Sequence, residues 1–216
     1  HRDLHSFPTR RSSDLIKTNK FWEQIWIEGG EPTLHPQIDA IIGVLLEYKN
    51  KYNRLVRIQL NSNGFSTITK EKLISIGKKI KIYSSEKTGP HVEGFCSFNL
   101  APCDFVEFEN ADYSGGCYFP SFYGFALNMN GYYFCSNAGG IDRVLGLDIG
   151  LKELPKENSN WWKPQMNQLC RYCGHFIENN SRHLNLIIPP SEEIISESWN
   201  KIYESFNKQK PFLKKY

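Results

Sequence analysis

Between residues 21 and 85, short apolar segments alternate with amphipathic ones, and this alternation sets the tightest limit on how the chain can fold. Residues 24–28 predict a buried strand. Ile38, Ile41, Ile42, Leu45 and Leu46 then recur at the spacing of one helical face. Residues 55–60 predict the next strand, Thr69 is positioned to cap a helix reaching about Gly77, and residues 79–83 predict a third strand. Strand and helix in this order imply parallel strands joined by right-handed crossovers, so the predicted fold class is α/β.

After Ser85 the pattern breaks into glycine-, proline- and aromatic-rich sequence that carries all six cysteines. A second architecture is expected there. Residues 122–128 and 132–135 flank Asn130-Gly131, a pair that tolerates the positive φ of a tight turn and so predicts a hairpin. Near the end, Pro189-Pro190-Ser191 precedes a helix whose Ile195, Trp199, Ile202 and Phe206 share one face. At 216 residues with 40% hydrophobic content, the chain can bury one sizeable core or two small ones.

The net charge of +3 is spread along the sequence and gives no electrostatic case for nucleic acid or an anionic membrane as partner. No apolar run approaches the roughly 20 residues that cross a bilayer, and the first residues hold no apolar signal core. The expected location is the cytoplasm. Thiols there stay reduced, so the cysteines are expected to be metal ligands or free core thiols rather than disulfides.

The stretch Trp26-Ile27-Glu28-Gly29-Gly30-Glu31-Pro32-Thr33-Leu34-His35-Pro36 lies after one predicted strand and before one predicted helix. In α/β folds the carboxyl ends of parallel strands are where ligands bind. Adjacent glycines let a ligand approach the backbone closely, and Glu31 with Pro32 gives a rigid exit toward the helix. The stretch resembles the Gly-Gly-Glu-Pro motif after the second strand of radical S-adenosylmethionine barrels. That resemblance implies that Gly29, Gly30, Glu31 and Pro32 form the strand edge that binds the amino group of the cofactor's methionine moiety. One strand later, Gln59-Leu60-Asn61-Ser62-Asn63-Gly64 resembles the same family's third-strand ending, which implies that Ser62 and Asn63 lie beside the cofactor. Ser84 matches a polar contact at the end of the next strand. His35 lies between Leu34 and Pro36 with no partner histidine at helical ligand spacing, and is expected to be structural. Tyr132-Tyr133 and Trp161-Trp162 are expected to pack in cores.

Cys117, Cys135, Cys170 and Cys173 form the best ligand set, closed by Cys-Arg-Tyr-Cys, a pair that can aim two thiolates at one metal from a tight turn. Spacing alone leaves zinc and iron-sulfur open. The order of cysteine, glycine hairpin, cysteine, gap and cysteine pair resembles the auxiliary-cluster extension of radical S-adenosylmethionine enzymes, the SPASM domain or its shorter twitch form. This implies one auxiliary 4Fe-4S cluster on these four residues. Gly131 precedes Cys135 by one residue fewer than the usual pattern, and the further cysteines of the full domain are absent. Cys96 and Cys103 are expected outside the set, as small apolar residues.

The family's three cysteines for the catalytic 4Fe-4S cluster, spaced three and two residues apart, do not occur upstream of Phe21. The resemblance therefore implies a partial radical S-adenosylmethionine (β/α) barrel over residues 16–110 and a cysteine-rich auxiliary domain over 111–216, with the catalytic cluster belonging to a longer protein. Residues 1–15 show no period and resemble the translated read-through of a sequencing adapter; a genuine basic tail is the alternative. The implied cofactors are S-adenosylmethionine and the auxiliary cluster. The implied partners are a small-molecule or peptide substrate and an electron donor such as ferredoxin or flavodoxin. The competing reading is a non-catalytic zinc-binding interaction module on a degenerate α/β scaffold.

Overall fold

The computed structural model describes residues 21–88, 99–156, 159–180 and 195–215 of a mixed α/β chain. It divides into two compact units, His1–Val92 and Glu93–Tyr216. The division falls ahead of residue 110, and Leu100, Ala101 and Phe108 pack in the core of the second unit.

In the first unit, β1 (Gln24–Ile27), β2 (Arg57–Ser62) and β3 (Lys81–Ser84) form a parallel sheet in the order β1-β2-β3. The register pairs Ile27 with Leu60 and Ser62 with Ser84, so all three carboxyl ends meet at one edge. Helices α1 (Ile38–Lys51) and α2 (Thr67–Gly77) are the crossovers. Ile38, Ile42 and Leu45 of α1 are buried with Val56, Ile58, Leu60, Ile76 and Ile80 in one apolar cluster. Each such side chain contributes about 1.5–3 kcal/mol by leaving water. Asp39 in the first turn of α1 pairs with Lys72 of α2, while Lys49 and Lys51 occupy the last turn, where cations suit the helix dipole.

The second and third strands begin two residues later than the sequence predicts. Asn53 captures residues 55 and 56 in a turn, its Oδ1 accepting from the Leu55 N–H at 3.2 Å, and Leu55 is left exposed. Likewise the Lys79 and Ile80 N–H groups donate back to the Ile76 carbonyl and extend the end of α2. The cap of α2 is Ser66, whose Oγ accepts from the Thr69 N–H at 3.1 Å; Thr69 itself lies inside the helix.

The second unit contains the hairpin β4 (Ala126–Asn128) and β5 (Gly131–Tyr133), and helices α3 (Phe119–Tyr123), α4 (Ser136–Leu145), α5 (Trp162–Leu169), α6 (Gly174–Asn180) and α7 (Glu197–Lys208). The hairpin turn is Met129-Asn130, one residue before the expected Asn130-Gly131, because the Asn128 side chain accepts from the Asn130 N–H at 2.7 Å. Gly131, at φ +129°, opens β5 instead; a Cβ there would run into the Leu151 carbonyl oxygen, which accepts from the Tyr132 N–H. Phe122 belongs to α3 rather than to a strand, since Pro120 starts that helix and Gly124, at φ +66°, ends it.

Tyr133, Ile141, Leu169 and Trp199 centre the core of this unit. Buried polar groups tie its parts together. Gln165 of α5 donates to the carbonyls of Tyr132 and Ile149 and accepts from the Phe134 N–H. The Tyr133 hydroxyl donates to Asp142 Oδ2 at 2.6 Å. Helix α7 docks through Trp199, whose indole N–H donates to the Tyr172 carbonyl at 2.7 Å, and through Ser196 Oγ, which accepts from the Ala101 N–H. Tyr132 and Tyr133 are buried as expected, and Trp161 and Trp162 pack on the same core. Pro189, Pro190 and Ser191 lie outside the described residues.

Candidate functional sites: a glycine strand edge and a four-cysteine cavity

At the carboxyl edge of the parallel sheet, Glu31 organises the two motif-bearing loops. Its Oε2 accepts from the Asn63 N–H at 2.8 Å and from Ser62 Oγ at 2.9 Å, while Oε1 accepts from the Thr33 hydroxyl at 2.7 Å. Burial raises the Glu31 pKa, but the bonds from Asn63, Thr33 and Ser62 outweigh it and leave the carboxyl below its ordinary value. Glu31 is therefore an internal clamp between the loop after β1 and the end of β2. Ser62 is buried and its hydroxyl also accepts from the Gly64 N–H. Asn63 uses its N–H on Glu31, its carbonyl on the Lys87 N–H and its Oδ1 on the Phe65 N–H. Ser84 Oγ accepts from the Glu86 N–H, and Gly64, at φ +64°, leaves it room: a Cβ at Gly64 would meet Ser84 Oγ.

Pro32, buried, opens a 3₁₀ turn, Pro32–Leu34, behind the loop. Gly29 and Gly30 differ from their neighbours. Both are exposed, a Cβ at either would meet nothing within 4 Å, and no hydrogen bond among the described residues uses their main-chain groups. Packing leaves room for a Cβ at both positions, but Gly29, at φ +158°, has a backbone conformation that side-chain-bearing residues rarely adopt. What the edge leaves available to a ligand is this stretch of open backbone. His35 is exposed and its Nδ1 accepts from the Gln37 N–H at 3.1 Å, a turn contact.

In the second unit, Cys117, Cys135, Cys170 and Cys173 line one cavity. They arrive from three segments. Cys117 follows Gly116, Cys135 is the residue that caps α4, and Cys170 and Cys173 bracket the short turn between α5 and α6. None of the four is in a disulfide; Cys135, Cys170 and Cys173 are buried. Burial pushes the Cys135 thiol up to about 12, against N–H bonds from Ala138 and Asn137 that favour the thiolate. It pushes Cys173 likewise to about 12, against N–H bonds from His175 and Phe176. Cys170 is raised by burial and then by the neighbouring sulfurs of Cys173, Cys135 and Cys117. Burial thus favours the protonated form of Cys135, Cys170 and Cys173. Among the described residues, no three His, Cys, Asp or Glu side chains are arranged to hold a single metal ion.

Cys103 is exposed, lies 3.9 Å from Ser198 Oγ and is not part of the cavity wall. Cys96 lies outside the described residues. The cavity also contains side chains that the sequence reading missed: Phe119, Asn137 and His175. His175 follows Cys173 by two residues, and that proximity was the available signal. No family model, no curated protein and no solved structure matches this chain.

Proposed function

We propose that this chain is part of a radical S-adenosylmethionine enzyme, with a half-barrel that presents the cofactor-binding strand edge and a following domain that holds an auxiliary 4Fe-4S cluster. The observation that carries the reading is the meeting of Cys117, Cys135, Cys170 and Cys173 at one cavity from three distant segments. Loop closure over such gaps opposes convergence, and a shared metal offsets that cost. Cysteine sulfur is the donor that iron-sulfur clusters take. Four sulfurs surround the cavity, and main-chain N–H groups aim at two of them, the arrangement that stabilises thiolates on iron.

Bound there, the cluster would supply an electron-transfer centre. The four cysteines would anchor it, and the aromatic wall would exclude water from it. At the other site, the open main chain of Gly29 and Gly30 would hold the amino group of S-adenosylmethionine, with Glu31 fixing the loop against Ser62 and Asn63. The chain has no cysteine before Cys96, so cofactor cleavage would require cysteines that this sequence does not carry. A cytoplasmic setting, an electron donor such as ferredoxin or flavodoxin, and a small-molecule or peptide substrate complete the reading.

Anaerobic reconstitution with ferrous iron and sulfide tests it. The expected product is brown, with matched iron and acid-labile sulfide and broad absorption in the visible blue. Colourless protein that retains only zinc would overturn the reading in favour of the interaction module. The same preparation, given S-adenosylmethionine and a strong reductant, is expected to release no 5′-deoxyadenosine. Its release would overturn the assignment of the cleavage step to cysteines outside this sequence.

A further inference from the structure

Past α7, residues 209–215 have no regular structure and lie against the hairpin turn and the loop that follows α4. Lys214 is held there by its main chain. Its N–H donates to Asp148 Oδ1 at 3.1 Å, and its carbonyl accepts from Lys152 Nζ at 3.0 Å and from Asn130 Nδ2 at 3.4 Å. The Lys152 ammonium also donates to Asp148 Oδ1 at 3.1 Å and to the Asn130 carbonyl, so the receiving groups are tied to one another by bonds that omit the tail. The side chains ahead of Lys214 alternate. Phe212 is 88% exposed, whereas Leu213 is buried, and a Cβ at Gly146 would run into the Pro211 ring.

We propose that the surface formed by Asn130, Gly146, Asp148 and Lys152 is a binding site for an extended peptide of the form Pro-x-Leu-x, and that the chain's own tail occupies it in place of such a partner. In peptide recognition of this kind, main-chain bonds supply the grip and contacts with alternate side chains supply the choice. The residue after leucine is read through its N–H and C=O, so any residue that keeps its N–H suits that position. Nothing in these bonds requires the peptide to be continuous with α7, to which the exposed Gln209 and Lys210 link it. The inference uses neither the cysteines nor the glycine edge, and it stands apart from the iron-sulfur reading.

The test uses the full chain and a fluorescein-labelled peptide with the sequence of residues 209–215, Gln-Lys-Pro-Phe-Leu-Lys-Lys, with binding followed by anisotropy and folding by thermal melting of the same samples. The attached tail competes at high effective concentration, so the wild type is expected to bind the added peptide weakly. Lys214→Pro removes the donor to Asp148, and Leu213→Asp makes burial of that side chain costly. Each should release the tail and tighten peptide binding about tenfold or more. Lys214→Ala keeps the main-chain bonds and should bind as the wild type does. Adding Lys152→Met to Leu213→Asp removes a donor to the peptide carbonyl and should cancel the gain. Equal affinity in the wild type, Lys214→Pro and Leu213→Asp would overturn the inference. Loss of the folded second unit in both variants would also overturn it, by making the tail part of the core. A gain that survives Lys152→Met would do the same, by placing the peptide elsewhere.

Discussion

Glu31 ties its motif together through bonds made by its side chain within the chain. Its carboxylate binds Thr33, Ser62 and Asn63, so Glu31→Gln should destabilise the first unit by about 2 kcal/mol at neutral pH, the scale of hydrogen bonds to a charged group. The pH dependence has a definite sign. The folded carboxyl lies below its ordinary value of 4.5, so its contribution is full above that value and is lost as pH falls through the folded pKa. Urea titrations of wild type and variant should therefore differ most at neutral pH and converge in acid. Gly30→Val probes the neighbouring backbone. Because a Cβ at Gly30 meets nothing, the variant should melt with the wild type, while calorimetric titration with S-adenosylmethionine should show affinity reduced by about tenfold, roughly 1.4 kcal/mol. Equal affinity would remove Gly30 from the site.

Among the elements, the amphipathic face of α1 was legible because Ile38, Ile42 and Leu45 repeat at the helical period and bury together. The boundaries were less legible. Leu55 reads as a strand residue by side chain, yet the Asn53 turn claims its N–H. Helix α4 was missed because Gly139 and Gly140 lower helix propensity, whereas the structure needs Gly139 small where it meets Asn128 and Tyr133. Asn128 fixes the hairpin turn locally, but the need for glycine at 131 is not local: it comes from Leu151, twenty positions away. Gly131→Ala should therefore cost about 2–3 kcal/mol in chemical denaturation, more than an ordinary turn substitution. Tyr133→Phe should be similarly costly, about 2–3 kcal/mol, because it strips a donor from the fully buried Asp142 carboxylate, whose Oδ1 already lacks a partner.

For the whole molecule, the sequence singled out four cysteines that the structure places on one cavity wall, and left the cavity's other walls hidden, because Phe119, Asn137 and His175 carry no spacing of their own. It likewise showed two architectures meeting after Ser85, while the affiliation of residues 99–108 emerges only from their packing against α6 and α7. If the cavity binds iron and sulfide, loading should raise the thermal midpoint of the second unit and leave that of the first where it was. Cys170→Ser should abolish that rise in differential scanning calorimetry.

Trp199, fully buried, belongs to the same core as Cys135, Cys170 and Cys173, and its indole N–H is bonded to Tyr172 between the paired cysteines. During translation the chain emerges from its amino end, so all four thiols leave the ribosome before the helix that seals the core behind them. The wall that carries the four cysteines therefore cannot be completed until the last helix of the chain has been made. The residues of the first unit's strand edge, by contrast, are all synthesised before residue 89.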